Sequence, residues 1–173
     1  MVDATISAGV TNQINTLVQS IFGNSDKLNL TFEDVTTLSN QVDGSTQPNG
    51  YFDANGNLNI TIQLNKNTMP SYSQQYISRV IMHEALHAYM IAKNMPAIEQ
   101  HEEMAINYVT KIASSLQQLF PGLTDSDAKS LALGGLFQTN TFKDTIASDM
   151  GLLGSFDATQ AAYSIGSLGN RCN

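Results

Sequence analysis

The apolar residues in the first part of the chain change from a helical to an alternating pattern. Over the first 23 residues they recur every three or four positions, and Gly23 is placed to end the amphipathic helix that this spacing predicts. Residues 28–32 alternate apolar and polar side chains, which predicts a strand, and a loop rich in Gly, Pro and Asn follows at 43–50. Residues 57–64 alternate again after a turn at 53–56, and we predict that they form a half-buried hairpin strand.

The middle of the chain predicts a buried helix. Ser71, with Gln74 three positions on, can cap this helix, and Asn94 and Pro96 are expected to end it at about Lys93. Apolar residues lie on nearly every side of it: Ile77, Val80, Ile81, Met82, Ala85, Leu86, Ala88, Tyr89, Met90 and Ile91. Because so little of its surface suits water, we expect this helix at the centre of the fold.

The rest of the chain is predicted to be helical. One helix is expected at 97–119, a shorter one starts at Thr124 or Asp125 and includes 131–137, and another covers 157–165. No repeat or interdomain linker interrupts the pattern. We therefore predict one domain over residues 1–173 with a mostly helical α+β fold, in which a small sheet precedes the central helix.

Composition excludes several classes of function. A net charge of −7 with only two arginines opposes a nucleic-acid partner, and no apolar run of 18 residues predicts a membrane span. The single cysteine, Cys172, excludes an intrachain disulfide framework, and we expect a mobile terminal thiol there rather than a zinc ligand. The first residues lack the basic start and apolar stretch of a signal peptide, which leaves export without a cleaved signal, or placement within a larger protein, as the alternatives.

The predicted central helix contains the pattern H-E-x-x-H, at His83, Glu84 and His87. Residues at i and i+4 lie on the same helix face, so both imidazoles can bind one metal ion while the glutamate lies beside them. Zinc in hydrolytic sites takes three protein ligands and leaves a fourth position for water, whose proton a neighbouring carboxylate can accept. The spacing therefore predicts a catalytic zinc site.

A third ligand has to come from another segment, and the next predicted helix offers His101, Glu102 and Glu103. Helical geometry places His101 within the edge of the apolar stripe, Glu102 beside the other edge and Glu103 nearly opposite. His101 is the preferred ligand and Glu102 is the alternative, while Glu103 is expected at the surface. With His101, all three histidines of the chain would bind one ion.

The segment resembles the catalytic core of the zincin metallopeptidases, in which a strand precedes the H-E-x-x-H helix; residues 57–64 fit that strand. The spacing from His87 to His101 is similar to that of SprT-like members, whose third ligand is a histidine on the following helix. Residues 101–108 and 131–136 are also similar to uncharacterised bacterial SprT-like peptidases, some of which are toxin or effector domains. The chain departs from the DNA-repair SprT proteins because it lacks their cysteine-rich zinc module and basic surface, and no metzincin signature follows His87.

This resemblance, which covers roughly residues 51–142, implies a metalloendopeptidase that hydrolyses peptide bonds with one catalytic Zn²⁺ ion. His83, His87 and His101 would hold the ion, and Glu84 would act as general base. The implied substrate is a polypeptide. The alternative function is a zincin-fold binding module, or a toxin or effector module, whose zinc is structural or non-proteolytic; a non-peptide amide hydrolase is a third. The carboxylate of Glu84 beside the motif favours hydrolysis.

Two features around this site stay open in the sequence. Zincins usually provide a hydrogen-bond donor for the developing oxyanion, and since the histidines are already used, Tyr108 is the first candidate and Tyr163 the second. A peptide substrate could add as a strand beside residues 57–64 if that strand lies at a sheet edge.

Overall fold

Three strands form a small mixed sheet on one side of the fold. The computed structural model describes residues 5, 12–23, 25–48 and 52–171. The strands are β1 (Leu28–Val35), β2 (Gly44–Pro48) and β3 (Leu58–Asn65), in the order β1-β3-β2. β1 runs parallel to β3 with Leu28 opposite Leu58, and β2 runs antiparallel to it with Gly44 opposite Leu64.

β3 is the central strand, which corrects one expectation from the sequence. The strand itself is confirmed, but Ile60 and Ile62 are fully buried and Thr61 on the opposite face is only 8% exposed. Both edges of β3 are hydrogen-bonded, one to β1 and one to β2. A peptide therefore cannot add beside residues 57–64 as expected, because no free edge remains there.

Helices make up most of the described chain. They are α1 (Gln13–Phe22), α2 (Gln74–Ala92), α3 (Ala97–Asn107), α4 (Val109–Leu119), α5 (Asp125–Ala132) and α6 (Met150–Ser164). Shorter turns are a 3₁₀ turn at Met69–Ser71, a helical turn at Asn140–Phe142 and a π-helical turn at Lys143–Ala147. The mostly helical α+β class is thus confirmed, and no described helix has the length and apolar character that crossing a membrane requires.

α2 is the central helix, as the sequence predicts. It contacts β2, β3 and each of the other five helices, and Ile81, Met82 and Leu86 are fully buried. Its cap is Ser73, whose hydroxyl accepts a hydrogen bond from the Tyr76 amide at 3.2 Å. The predicted cap at Ser71 is wrong, because Ser71 lies in the preceding 3₁₀ turn.

The predicted helix at 97–119 is two helices. The backbone leaves the helical region at Tyr108 (φ −122°, ψ −15°), which separates α3 from α4. The break lets each helix bury a different face: α3 buries Met104 but leaves Ile98 91% exposed. A single apolar stripe over both segments, including Ile98, is therefore wrong.

The ends of the chain also differ from the prediction. α1 begins at Gln13 because Asn12 is extended (φ −139°, ψ 164°) and caps the helix, so one unbroken helix over the first 23 residues is wrong. α5 ends at Ala132, and Gly135 has a left-handed φ of 84°, so 133–137 does not continue that helix. α6 starts seven residues before the predicted 157. Cys172 lies outside the described residues.

Candidate metal centre

Three histidine side chains converge on one point between α2 and α3. His83 and His87 lie one turn apart on α2, and His101 comes from α3. The Nε2 atom of His87 lies 3.2 Å from that of His83 and 3.1 Å from that of His101. Two nitrogen ligands of a tetrahedral zinc ion, each about 2.0–2.1 Å from the metal, are about 3.3 Å apart. The spacing of the three nitrogens therefore fits one metal ion.

A tight turn between the two helices brings His101 into this position. Asn94 adopts a left-handed conformation (φ 57°), the only such non-glycine residue in the described part of the chain. The Met95 amide then donates back to the carbonyl of Met90 at 2.9 Å. The chain consequently reverses within a few residues, and α3 starts beside the end of α2.

Gln100 holds the ring of His87. The side-chain Oε1 of Gln100 lies 2.6 Å from Nδ1 of His87, while its Nε2 donates to the carbonyl of Met95 at 3.0 Å. Because that second bond fixes the amide with its oxygen toward the ring, the Nδ1–H of His87 donates to Gln100. The lone pair of His87 is then on Nε2, where it faces the other two histidines.

His83 is the most buried of the three. Its ring packs against Gly135, where an added Cβ would lie 3.0 Å from Cε1, so the close approach requires a glycine. Its Nδ1 has no hydrogen-bond partner among the described residues. Burial and the neighbouring His87 lower the pKa of His83 well below its usual value.

The electrostatics of the cluster favour a cation. Burial lowers the pKa of His87 to about 4, and partial desolvation also lowers the pKa of His101. All three rings are therefore neutral at pH 7. The single lone pair on Nε2 of His87 cannot accept hydrogen bonds from both neighbours at once, whereas three such nitrogens can all bind one metal ion.

Glu84 lies beside the histidines, under strand β2. The hydroxyl of Thr46 is 2.8 Å from Oε2 of Glu84 and 2.9 Å from its backbone oxygen, and it donates toward both. A Cβ at Gly44 would lie 2.8 Å from Cγ of Glu84, so β2 passes directly over this side chain. Burial raises the pKa of Glu84 to about 7. The carboxyl group is thus partly desolvated and held in one orientation.

The alternative ligand from the sequence, Glu102, points elsewhere. Its carboxylate accepts hydrogen bonds from the amides of Asn140 and Thr141 at 2.8 and 3.0 Å, and these bonds lower its pKa. Glu103 accepts a hydrogen bond from Asn107 at 3.0 Å. Among the described residues, the metal-ligating cluster consists of the three histidines alone.

The structure does not bring Tyr108 or Tyr163 to the histidines. The ring of Tyr108 packs edge-on against Tyr89, 6.3 Å between centroids, and Lys111 lies over it. The hydroxyl of Tyr163 donates to Asp127 at 3.1 Å, and Asp127 also raises the pKa of this tyrosine, after burial, to about 12. Neither side chain lines the cleft described next.

An open cleft of about 1360 Å³ contains the metal-ligating cluster and Glu84. All of β2 lines one wall, and Gly134 and Gly135 line another. Arg79, one helical turn before His83, also lines the cleft and escaped the sequence analysis. Its only signal in the sequence is the i−4 spacing from His83, which places a cation on the metal-binding face of α2.

Comparisons with known proteins identify no family for the chain. No family model matches it, and no curated protein or solved structure matches it significantly. The case for its chemistry therefore depends on the site itself.

Proposed function

We propose that the protein is a zinc-dependent peptidase with Glu84 as its general base. The observation that carries this proposal is the convergence of three histidine Nε2 atoms beside a buried carboxyl group in an open cleft. The zincin and SprT-like resemblance agrees with it and stays a prediction. A zinc ion bound by these histidines would polarise the scissile carbonyl and acidify a water molecule.

The composition of the site favours a catalytic over a purely structural ion. Structural zinc sites are closed by four protein ligands, whereas catalytic sites keep one position open. The described residues provide three ligands, and the cluster faces a cleft rather than the core. A buried glutamate next to the ligands has no use in a structural site, since an unpaired carboxyl group costs free energy to bury.

The residues of this chain provide the proton transfers that hydrolysis needs. Glu84 accepts a proton from the water that attacks the carbonyl carbon, and it then gives that proton to the nitrogen as the C–N bond breaks. Thr46 keeps the carboxylate in place through its 2.8 Å hydrogen bond. Gln100 keeps the ring of His87 in one tautomer throughout.

β2 is suited to hold an extended polypeptide. One edge of this strand pairs with β3, while the other edge pairs with no strand among the described residues. The strand also lines the cleft beside His83 and Glu84. Backbone hydrogen bonds from a peptide to the free edge would position it without regard to most of its side chains. This arrangement favours a peptide over a small amide as the substrate.

The test compares the wild type with Glu84→Gln after both are loaded with zinc. We expect both proteins to bind one equivalent of zinc by metal analysis. Cleavage of a mixed peptide library, followed by mass spectrometry, should fall by at least about a hundredfold in the variant, since general-base catalysis contributes about 10²–10⁴-fold.

Glu99→Gln is the matched control, because Glu99 is exposed on α3 and does not line the cleft. It should retain full cleavage. If zinc-loaded wild type cleaves no peptide faster than Glu84→Gln does, the peptidase proposal is wrong. If neither protein binds zinc, the metal centre is wrong as well.

A further inference from the structure

Arg79 is a buried cation in the wall of the cleft. Its side chain is 7% exposed and lies on the same face of α2 as His83, one turn nearer the start of the helix. Four residues of helix correspond to about 6 Å along the axis, so the guanidinium lies near the metal centre. Burying a guanidinium costs free energy unless anions or acceptors surround it.

The described partners satisfy this guanidinium only in part. Asp43 is its one carboxylate partner among the described residues, and the distance from Nη2 to Oδ2 is 3.8 Å. Asp43 already accepts hydrogen bonds from the hydroxyls of Tyr72 at 2.8 Å and Tyr76 at 3.0 Å. The ring of Tyr76 also lies under the guanidinium, with Cζ 4.2 Å from its centroid. Nε has no hydrogen-bond partner in the described part of the chain.

Gly134 leaves space next to the unpaired edge of the guanidinium. A Cβ at this position would lie 2.8 Å from Cζ and 2.9 Å from Nε of Arg79, so any other residue would press on the group. Gly134 also lines the cleft. The backbone thus leaves open the edge at which Nε and a terminal nitrogen donate in parallel, and this is the edge that a carboxylate binds in a bidentate manner.

We infer that Arg79 binds a carboxylate group of the peptide substrate, an inference that rests on the proposed peptidase function. One carboxylate supplies the two acceptor oxygens that this fork geometry needs. A doubly charged phosphate is disfavoured, since Asp43 and Glu84 already place negative charge nearby. The carboxylate belongs either to the C-terminus of the peptide or to an Asp or Glu side chain.

The distance from the metal centre limits where that carboxylate lies in the substrate. About 6 Å along the helix corresponds to about two residues of extended peptide at about 3.3 Å per residue. The favoured substrates therefore carry a carboxylate within about two residues of the bond that is cleaved.

The test measures binding of fluorescent peptides to the Glu84→Gln protein, with and without zinc. Three peptides share one sequence: one has a free C-terminus and no acidic residue, one is amidated, and one is amidated with a glutamate near its end. We expect one of the carboxylate peptides to bind about 10- to 100-fold more tightly than the neutral peptide by fluorescence anisotropy. Which of them binds identifies the source of the carboxylate.

Adding Arg79→Gln should remove that preference, whereas Arg79→Lys, which keeps the charge without the fork, should retain only part of it. Arg171→Lys is the matched control, because the side chain of Arg171 donates to the carbonyl of Gly166 and does not line the cleft. Thermal melts identify variants that fold, and the three-peptide comparison in the parent protein decides the question even if the Arg79 variants do not.

Equal binding of the three peptides to the parent would overturn the inference. A preference that persists in a folded Arg79→Gln variant would also overturn it. A preference that disappears when zinc is removed would assign the carboxylate to the metal instead and would have the same effect. A preference without any cleavage by the wild type would refute the peptidase proposal alone, and the two failures are therefore distinguishable.

Discussion

Replacing Gln100 with leucine tests whether this residue sets the tautomer of His87. Gln100 is 3% exposed, and its Oε1 lies 2.6 Å from Nδ1 of His87. Leucine is similar in size but offers no acceptor, so the change removes the hydrogen bond while largely keeping the packing. The Nδ1–H would then be buried without its partner, and the tautomer with a free Nε2 lone pair would lose its preference.

Loss of such a partner typically lowers metal affinity about 10- to 100-fold. This range corresponds to about 1.4–2.7 kcal/mol of binding free energy. We expect the zinc Kd of Gln100→Leu to rise by that factor. Gln117→Leu is the control, because Gln117 also donates to a backbone carbonyl, that of Leu123 at 3.5 Å, but lies away from the cleft. Its Kd should equal that of the wild type.

The assay is a competition titration against a chromophoric chelator near neutral pH. Melting curves of the metal-free proteins show which variants are folded. A folded Gln100→Leu protein whose zinc Kd stays within about twofold of wild type would refute the reasoning, because the amide would then have no part in preparing His87 for the metal.

Two further predictions concern the remaining ligand and the base. His101→Ala should lose stoichiometric zinc in metal analysis, because two ligands remain, whereas Glu102→Gln should keep it, since this carboxylate binds the amides of the turn at Asn140–Phe142; the opposite pattern would make Glu102 the ligand. Thr46→Val should lower kcat about tenfold with an unchanged zinc Kd, because it removes a hydrogen bond to a charged group, Glu84, rather than to a ligand. An unchanged kcat would show that Thr46 does not position the base.

The parts of this site that one helix encodes could be predicted from the sequence. His83 and His87 lie four residues apart on α2, and helical geometry alone puts them together. His101 was predicted correctly as the third member of the cluster, although from an apolar stripe that included Ile98, which is 91% exposed. The stripe failed because the helix breaks at Tyr108, where no proline or glycine marks the end.

Contacts between distant segments could not be predicted in this way. Thr46 is 38 residues from Glu84, and the strand that carries it lies in a segment that composition identified only as a loop. Gly134 contacts Arg79 from the far side of the cleft. Neither contact leaves a periodic trace in the sequence, because each depends on how β2 and α5 pack against α2.

The origin of the third histidine on a separate helix links metal supply to folding. His101 follows His87 by 14 residues and reaches it only when α3 has docked against α2, so an unfolded chain presents no comparable site. Free zinc at a thousandfold excess over Kd would then stabilise the native protein by about 4 kcal/mol. Since small domains are stable by only about 5–15 kcal/mol, zinc availability would decide how much of the protein survives as well as how much of it is active.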